Sequence, residues 1–375
     1  MKLLFRKPRR DSRSYANRVR WLHDGSVALP AMLDAIRSAR HEVLLEMYWF
    51  GSDRTGRTFA DALIERARAG VTVRVIYDAV GSIDASEAMF DEMREAGCDV
   101  FEFNPIAPWR ARFSFARINR RDHRKLVVVD GGLAITGGIN LGDEWAPKEE
   151  GGGGFRDDAI EIRGAAAAQL RAVFYRTFRV PKAPIPEPEP VAETCEVVVL
   201  ASDVFLQRHA IYNGYLSAIR RSARDVLITN SYFIPSGRVR RALIRAVKRG
   251  VRVRVLVPRE NDVKVAQYAS RACYEPLLAA GIEIFEWSGG ILHGKTAAID
   301  DDWCTVGSFN FDALSLHNNL ELNVAILSPE VTANLRHKVE QDLLHAERVD
   351  LVSFRQRGWI TRLLERFFHS FRWLL

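Results

Sequence analysis

The sequence predicts an α/β fold made of two similar lobes. Three observations predict it: strand-like and helix-like apolar patterns alternate, one strand–helix–strand phrase occurs twice, and a proline-rich stretch lies between the copies.

Residues 43–50 are apolar apart from Glu46, the pattern of a buried strand. A helix is expected over about 58–69, Gly70 stops it, and residues 71–76 form the next strand. The phrase then returns. Val226-Leu227-Ile228 leads to Tyr232-Phe233, a helix covers 242–249, Gly250 ends it, and 251–257 is the second strand. The segments starting at Ala62 and Ala242 align without a gap. A repeat of this length is a duplicated domain, not a solenoid unit. Pro181, Pro184, Pro186, Pro188 and Pro190 make a stiff, extended run unsuited to a core. The expected organisation is a basic N-terminal segment (1–24), a first lobe (25–180), a proline-rich linker (181–194), a second lobe (195–350) and an amphipathic C-terminal helix (351–375).

The 375 residues fit two domains of ordinary size. Apolar residues make up 47% and charged ones 27%, enough for a globular core. The net charge of +7 suggests an anionic partner without separating nucleic acid from acidic lipid. Cys98, Cys195, Cys273 and Cys304 are far apart and form no C-x-x-C pair, so neither a zinc site nor a disulfide framework is indicated and a reducing, cytoplasmic setting is expected. Met1 to Phe5 are too few to form a signal-peptide core before Arg6, Lys7, Arg9 and Arg10. No apolar run approaches the roughly 20 residues of a membrane span. A membrane, if met, is met at its surface.

Each half carries the same chemical pattern. The first is His123-Arg124-Lys125, then Asp130, then Gly137-Gly138-Ile139-Asn140. The second is His293-Gly294-Lys295, then Asp300, then Gly307-Ser308-Phe309-Asn310. His to Asn spans 17 residues in both (123 to 140, 293 to 310). In the first copy 126–129 is a strand, Asp130-Gly131-Gly132 a hairpin turn, and 133–136 the returning strand. His123 and Lys125 are two apart and share a face. The return delivers Gly138 and Asn140 to the His end, and the glycines let backbone approach a ligand. Two copies supply two imidazoles, two ammonium groups and two amides.

That set suits displacement at a phosphodiester phosphorus. One imidazole attacks and the other protonates the leaving alkoxide. The lysines and asparagines stabilise charge on the non-bridging oxygens. No metal and no cofactor is called for. His23, His41, His209, His337, His345 and His369 lie outside the pattern, and ordinary core or surface roles are expected of them.

These residues resemble the phospholipase D superfamily, whose mark is H-x-K-x4-D-x6-G-[GS]-x-N in duplicate. The resemblance runs from about Val27 to about Glu347. It implies a two-lobed phospholipase D fold, a duplicated α/β/α sandwich with mixed sheets and one active site at the pseudo-twofold interface. It also implies a phosphohistidine intermediate on His123, with His293 as acid and then base; the residues alone assign neither role. Acids downstream of each motif orient the histidines in that family. The matching positions are Asp157, with Asp158 adjacent as the alternative, and Glu321. Asp130 and Asp300 are counted with the catalytic set as residues that shape the hairpins and support the site. Gly138 and Ser308 are expected beside the substrate.

The segment from Trp109 to Arg121 interleaves aromatics and arginines, which suits lipid headgroups and equally nucleic-acid bases. Trp109 and Arg121 are its candidate substrate-binding residues. The C-terminus favours lipid. Ile360, Leu363, Leu364, Phe367, Phe371 and Leu374 form one apolar stripe flanked by Arg362, Arg366 and Arg372, with Trp359 and Trp373 as interfacial rings. The alternative is a helix docked on the protein itself. Within the superfamily, Glu46-Met47-Tyr48-Trp49-Phe50 and Asn318-Asn319-Leu320-Glu321-Leu322-Asn323 resemble the short bacterial cardiolipin synthases. That resemblance implies a phosphatidyltransferase on the cytoplasmic face of an anionic phospholipid membrane, with phosphatidylglycerol or phosphatidylethanolamine as substrates. Nucleic acid is the disfavoured partner, and a hydrolytic phosphodiesterase or nuclease is the alternative activity. Oligomeric state is not legible.

Overall fold

A computed structural model describes residues 13–110, 113–114, 117–187, 189–193, 195–202 and 209–374. The basic start (Arg6, Lys7, Arg9, Arg10), Arg112 and Phe115 of the aromatic–arginine segment, Pro188 of the linker and the Leu374 side chain lie outside the description.

The chain opens with β1 (Arg13–Ser14), β2 (Asn17–His23), α1 (Gly25–Ser38) and β3 (Glu42–Met47). Next come α2 (Arg54–Arg68), β4 (Thr72–Asp78), α3 (Glu87–Glu95) and β5 (Asp99–Phe103). The first motif hairpin is β6 (Lys125–Val129) and β7 (Leu133–Gly137), followed by β8 (Asp158–Gly164) and α4 (Ala165–Phe178). The second half has β9 (Glu196–Ser202), α5 (Ala210–Arg221), β10 (Asp225–Asn230), α6 (Gly237–Lys248) and β11 (Arg252–Pro258). It continues through α7 (Lys264–Arg271), α8 (Tyr274–Ala279), β12 (Glu283–Trp287), β13 (Lys295–Ile299) and β14 (Trp303–Gly307). It ends with α9 (Ala313–His317), β15 (Glu321–Leu327), α10 (Pro329–Leu343), β16 (Ala346–Arg348), α11 (Leu351–Arg355) and α12 (Trp359–Ser370).

Two mixed sheets result. The first has the order β2-β8-β7-β6-β3-β4-β5 and the second β1-β9-β15-β14-β13-β10-β11-β12-β16. The parallel trios β3-β4-β5 and β10-β11-β12 are equivalent, and each joins an antiparallel motif hairpin. Residues 13–23, expected in a basic terminal segment, split between the sheets: β1 pairs with β9, and β2 pairs with β8.

Local chemistry explains the boundaries. Asp53 accepts a hydrogen bond from Gly56 N at 2.8 Å, so α2 starts four residues before the apolar pattern alone suggests. Gly70 (φ 86°) and Gly250 (φ 88°) end α2 and α6 in the left-handed conformation that favours glycine. The first strand stops at Met47, not Phe50, which frees Tyr48 and Trp49 from the sheet.

Three large apolar clusters hold the fold, beside a small one of Ile234, Ala269 and Cys273 under Phe368. One packs α1, α2 and α3 on the outer face of the first sheet. Another packs α5 and α6 on the outer face of the second. The third joins the lobes: Leu44, Leu126 and Ile160 of one sheet meet Val197, Leu227, Val306 and Leu322 of the other, with Leu170 of α4 and Leu335 of α10 between them. Both inner sheet faces are therefore covered, as the near-continuous burial of β3, β6, β13 and β15 requires.

Candidate active site

The site forms where the two hairpins meet. His123 precedes β6 and His293 precedes β13. Each is tied by backbone to the opposite lobe: His123 N donates to Leu320 O at 2.9 Å and His293 N to Arg156 O at 2.7 Å. Leu320 precedes Glu321 and Arg156 precedes Asp157, so each tie sets a carboxylate beside a histidine of the other half. Both oxygens of Glu321 lie 3.1 Å from His123 Nδ1. Asp157 Oδ2 lies 2.6 Å from His293 Nδ1. With Nδ1 engaged in each ring, Nε2 is the nitrogen left for substrate.

Asp157, not Asp158, therefore faces His293. Asp158 is held by Arg156 at 2.8 Å and His23 at 2.6 Å, part of a buried charge cluster that includes Asp24 and Asp342. Burial pushes the Asp158 carboxyl up, but the Arg156 charge and the hydrogen bond to His23 outweigh it and hold it well below the usual range.

Gly138 and Ser308 occupy matching places beneath these carboxylates. A Cβ at Gly138 would come within 2.1 Å of Asp157 Oδ1, so glycine makes room for the acid. Ser308 instead donates its hydroxyl to Glu321. Trp145 Nε1 donates to Asp157 at 3.0 Å and packs edge-on to His293. Tyr48 packs edge-on to His123, with Lys125 Nζ 4.9 Å from its ring centre.

Both lysines are almost fully buried. Lys125 donates to His123 O at 2.7 Å and Lys295 to His293 O. Burial, and then the charge of Lys295, pull the Lys125 ammonium down to about 7. Burial brings Lys295 down to about 8. Burial also lowers His123 to about 4 despite Glu321, and pushes His293 down. The resting site thus favours neutral imidazoles. Burial pushes Glu321 up, but His123, Ser308 and Lys125 more than offset it, so it stays ionised.

A cavity of about 640 Å³ opens onto His123, His293, Asn140 and Asn310. Asn140 Oδ1 accepts from Trp49 N at 3.2 Å and Asn310 Oδ1 from Ser231 Oγ at 3.1 Å, which leaves the amide N–H groups of both for a ligand. Tyr232, whose hydroxyl donates to Asp262 at 2.8 Å, also lines it, as does the buried Asp312, raised by burial to about 7. Ile83 and Val263 form an exposed apolar rim. Sequence reasoning missed Trp145, Tyr232, Asp262 and Asp312. Only Tyr232, at the repeat position of Trp49, carried a sequence signal.

Gly138 and Ser308, expected beside the substrate, back the two carboxylates and do not line the cavity, and four further expected residues lie away from it. Asp130 and Asp300 sit at the far ends of β6 and β13, about 16 Å along the strand from the lysines. Each has positive φ and accepts several backbone N–H groups: Arg40, His41 and Glu42 for Asp130, and Ala223, Arg224 and Asp225 for Asp300. They clamp the motif hairpin to the start of the neighbouring strand. Arg121 is buried against Asp78 and Asn104 O. Trp109 is 85% exposed on an outer loop.

Fold and cavity define a two-lobed phosphodiester-processing enzyme. The family model described as "Cardiolipin synthase, PLD-like domain" matches residues 32–149 and 215–343, and the chain belongs to this phospholipase D-like family. It is 33% identical over 360 residues to a cardiolipin synthase of Geobacillus thermodenitrificans, covering 94% of this chain and 71% of that protein. A probable cardiolipin synthase of Bacillus subtilis is 31% identical over 366 residues, covering 95% and 72%. Among solved structures, the phosphatidylserine synthase of Haemophilus influenzae superposes with a TM-score of 0.73 over 95% of both chains at 14% identity, a likeness of fold.

Proposed function

We propose that this protein is a cardiolipin synthase-type phosphatidyltransferase that acts at the surface of an anionic membrane. The observation that carries the chemistry is the reciprocal pairing of two histidines with carboxylates of the opposite lobe around one cavity. His123 Nε2 attacks the donor phosphorus. A P–N bond forms as the P–O bond to the leaving alcohol breaks, and His293 gives that oxygen its proton. An anionic phosphodiester between the rings favours the imidazolium that this requires. The acceptor hydroxyl then loses its proton to His293, its oxygen bonds phosphorus, and His123 leaves. Lys125, Lys295 and the amides of Asn140 and Asn310 stabilise the charge on the non-bridging oxygens. Phosphatidylglycerol or phosphatidylethanolamine supplies the phosphatidyl group.

The C-terminus supports a lipid over a nucleic acid. α12 docks on the protein through Glu365, which ion-pairs with Arg357 and Arg271, and through Phe368 stacked on Tyr268 of α7. Its opposite face leaves Ile360, Leu363 and Phe367 more than half exposed, as is Trp373 in the turn that follows, beside exposed Arg362 and Arg366. Among the described residues no helix is long and apolar enough to cross a membrane. An apolar stripe flanked by arginines suits in-plane membrane contact.

Mass spectrometry of products from mixed phosphatidylglycerol and phosphatidylethanolamine vesicles tests the reading, beside a nuclease assay on single- and double-stranded DNA. The expected result is cardiolipin, with a labelled phosphatidyl group trapped on the His293→Ala protein and not on His123→Ala. Nucleic-acid cleavage with no lipid product overturns it.

A further inference from the structure

A second cavity, of about 340 Å³, adjoins the first. The two share Ile234 and Asp312, so they meet at the start of α9. Its wall is built from three parts of the chain: the start of α6 with Ser236 and Arg240, α9 with His317, and the 3-10 turn after α12 with Arg372 and Trp373.

Two arginines line it without a salt bridge: Arg271 and Arg357 are paired with Glu365, whereas among the described residues neither Arg240 nor Arg372 has a carboxylate partner. Arg372 donates only to His369 O, at 3.2 Å. Arg240 is half-buried, which makes a solitary guanidinium costly unless an anion joins it. The position adds a direction. His369 of α12 and the exposed Trp373 just after it form part of this cavity's wall, and Asp312 is shared with the first cavity, which holds Asn310 and the two histidines.

We propose that the Arg240–Arg372 cavity binds the phosphate of the acceptor phospholipid, with its acyl chains laid along α12 and its free headgroup hydroxyl reaching past Asp312 to the phosphohistidine. This rests on the phosphatidyltransferase reading and names the second substrate's subsite. It gives the enzyme a means to prefer a lipid alcohol over water or free glycerol. The two guanidinium groups recognise a phosphodiester by charge-assisted hydrogen bonds. Asp312 stands at the passage, where a neutral hydroxyl and not the phosphate meets it.

The test compares two acceptors with one donor. Wild-type protein, Arg240→Ala and Arg372→Ala react with a short-chain phosphatidyl-p-nitrophenol donor, with either dihexanoylphosphatidylglycerol or glycerol as acceptor. The ratio of transfer to phosphatidylglycerol over transfer to glycerol is expected to fall about tenfold in each variant, the loss of one charged hydrogen bond. Arg240→Lys keeps part of the preference. Added inorganic phosphate or glycerol 3-phosphate should depress the wild-type ratio and not that of Arg240→Ala, and the stronger competitor shows whether phosphate alone or phosphoglycerol is recognised. An unchanged ratio, or equal loss with both acceptors, overturns the proposal. If the wild-type protein transfers no phosphatidyl group, the activity reading fails instead. Calorimetric binding of dihexanoylphosphatidylglycerol, weakened in Arg240→Ala or not, then still decides the subsite.

Discussion

Replacing Glu321 by Gln probes the inter-lobe pairing most directly. Glu321 is fully buried, ionised, and has both oxygens 3.1 Å from His123 Nδ1, while Ser308 donates to it from behind. Gln keeps the volume and removes the charge. Losing one charge-assisted hydrogen bond costs about 1.5–3 kcal/mol, roughly ten- to 150-fold in rate. Because both oxygens face Nδ1, the amide NH2 can also turn toward the ring. That favours the tautomer with hydrogen on Nε2, whose lone pair no longer faces phosphorus, and extends the loss toward about 10⁴-fold. Asp157→Asn should slow turnover by a comparable factor through the other ring, 2.6 Å away. The leaving group separates them. A p-nitrophenol donor needs no proton on departure, so it should restore the first half-reaction in Asp157→Asn and not in Glu321→Gln. The assay is single-turnover release of p-nitrophenol, with thermal melting to verify folding. Rescue of Glu321→Gln alone would exchange the two histidines' roles. Loss under threefold in both variants would refute the argument.

Other consequences are open to measurement. Lysine is charged below its pKa, so kcat/KM on a soluble donor should fall as pH rises through about 7 to 8, where Lys125 and Lys295 titrate; a flat profile from pH 6 to 9 contradicts the role given to them. Exhaustive chelation should leave the rate largely intact, and a loss restored by one specific divalent metal counts against the mechanism. Leu363→Glu with Phe367→Glu alters only the outer face of α12 and removes about 3–5 kcal/mol of apolar contact with a bilayer. Vesicle co-sedimentation should drop by at least tenfold while turnover of a short-chain soluble donor persists; unchanged sedimentation removes the membrane role of this helix. Asp130→Ala strands three backbone N–H groups and should destabilise the fold by roughly 2 kcal/mol while kcat stays within about threefold, and a thousandfold fall in kcat with normal melting would return Asp130 to the chemistry.

What the sequence by itself determined is what short-range geometry decides. A strand period of two put His123 and Lys125 on one face, a tight turn at Asp130-Gly131 reversed the chain, and equal spacing brought Asn140 and Asn310 back to the histidine end. The repeat was legible for the same reason, since strand, cap and glycine stop are each local. Which carboxylate serves which histidine was decided only by tertiary structure. The partners are 198 and 136 residues apart, and they meet because the backbone of each motif pairs with the strand leading to the other lobe's acid. The choice between Asp157 and Asp158 depended on Arg156 and His23 claiming the second acid. Arg121 and Trp109 show the same limit: an arginine and a tryptophan before the motif read as ligand contacts, yet one is held by Asp78 and the other faces outward. The C-terminal stripe predicted two outcomes, docking or exposure, and the helix does both, because Glu365 and Phe368 pack inward on the face opposite Leu363 and Phe367. A side chain's spacing fixes its direction relative to its own backbone, and only the packing of distant segments fixes what it faces.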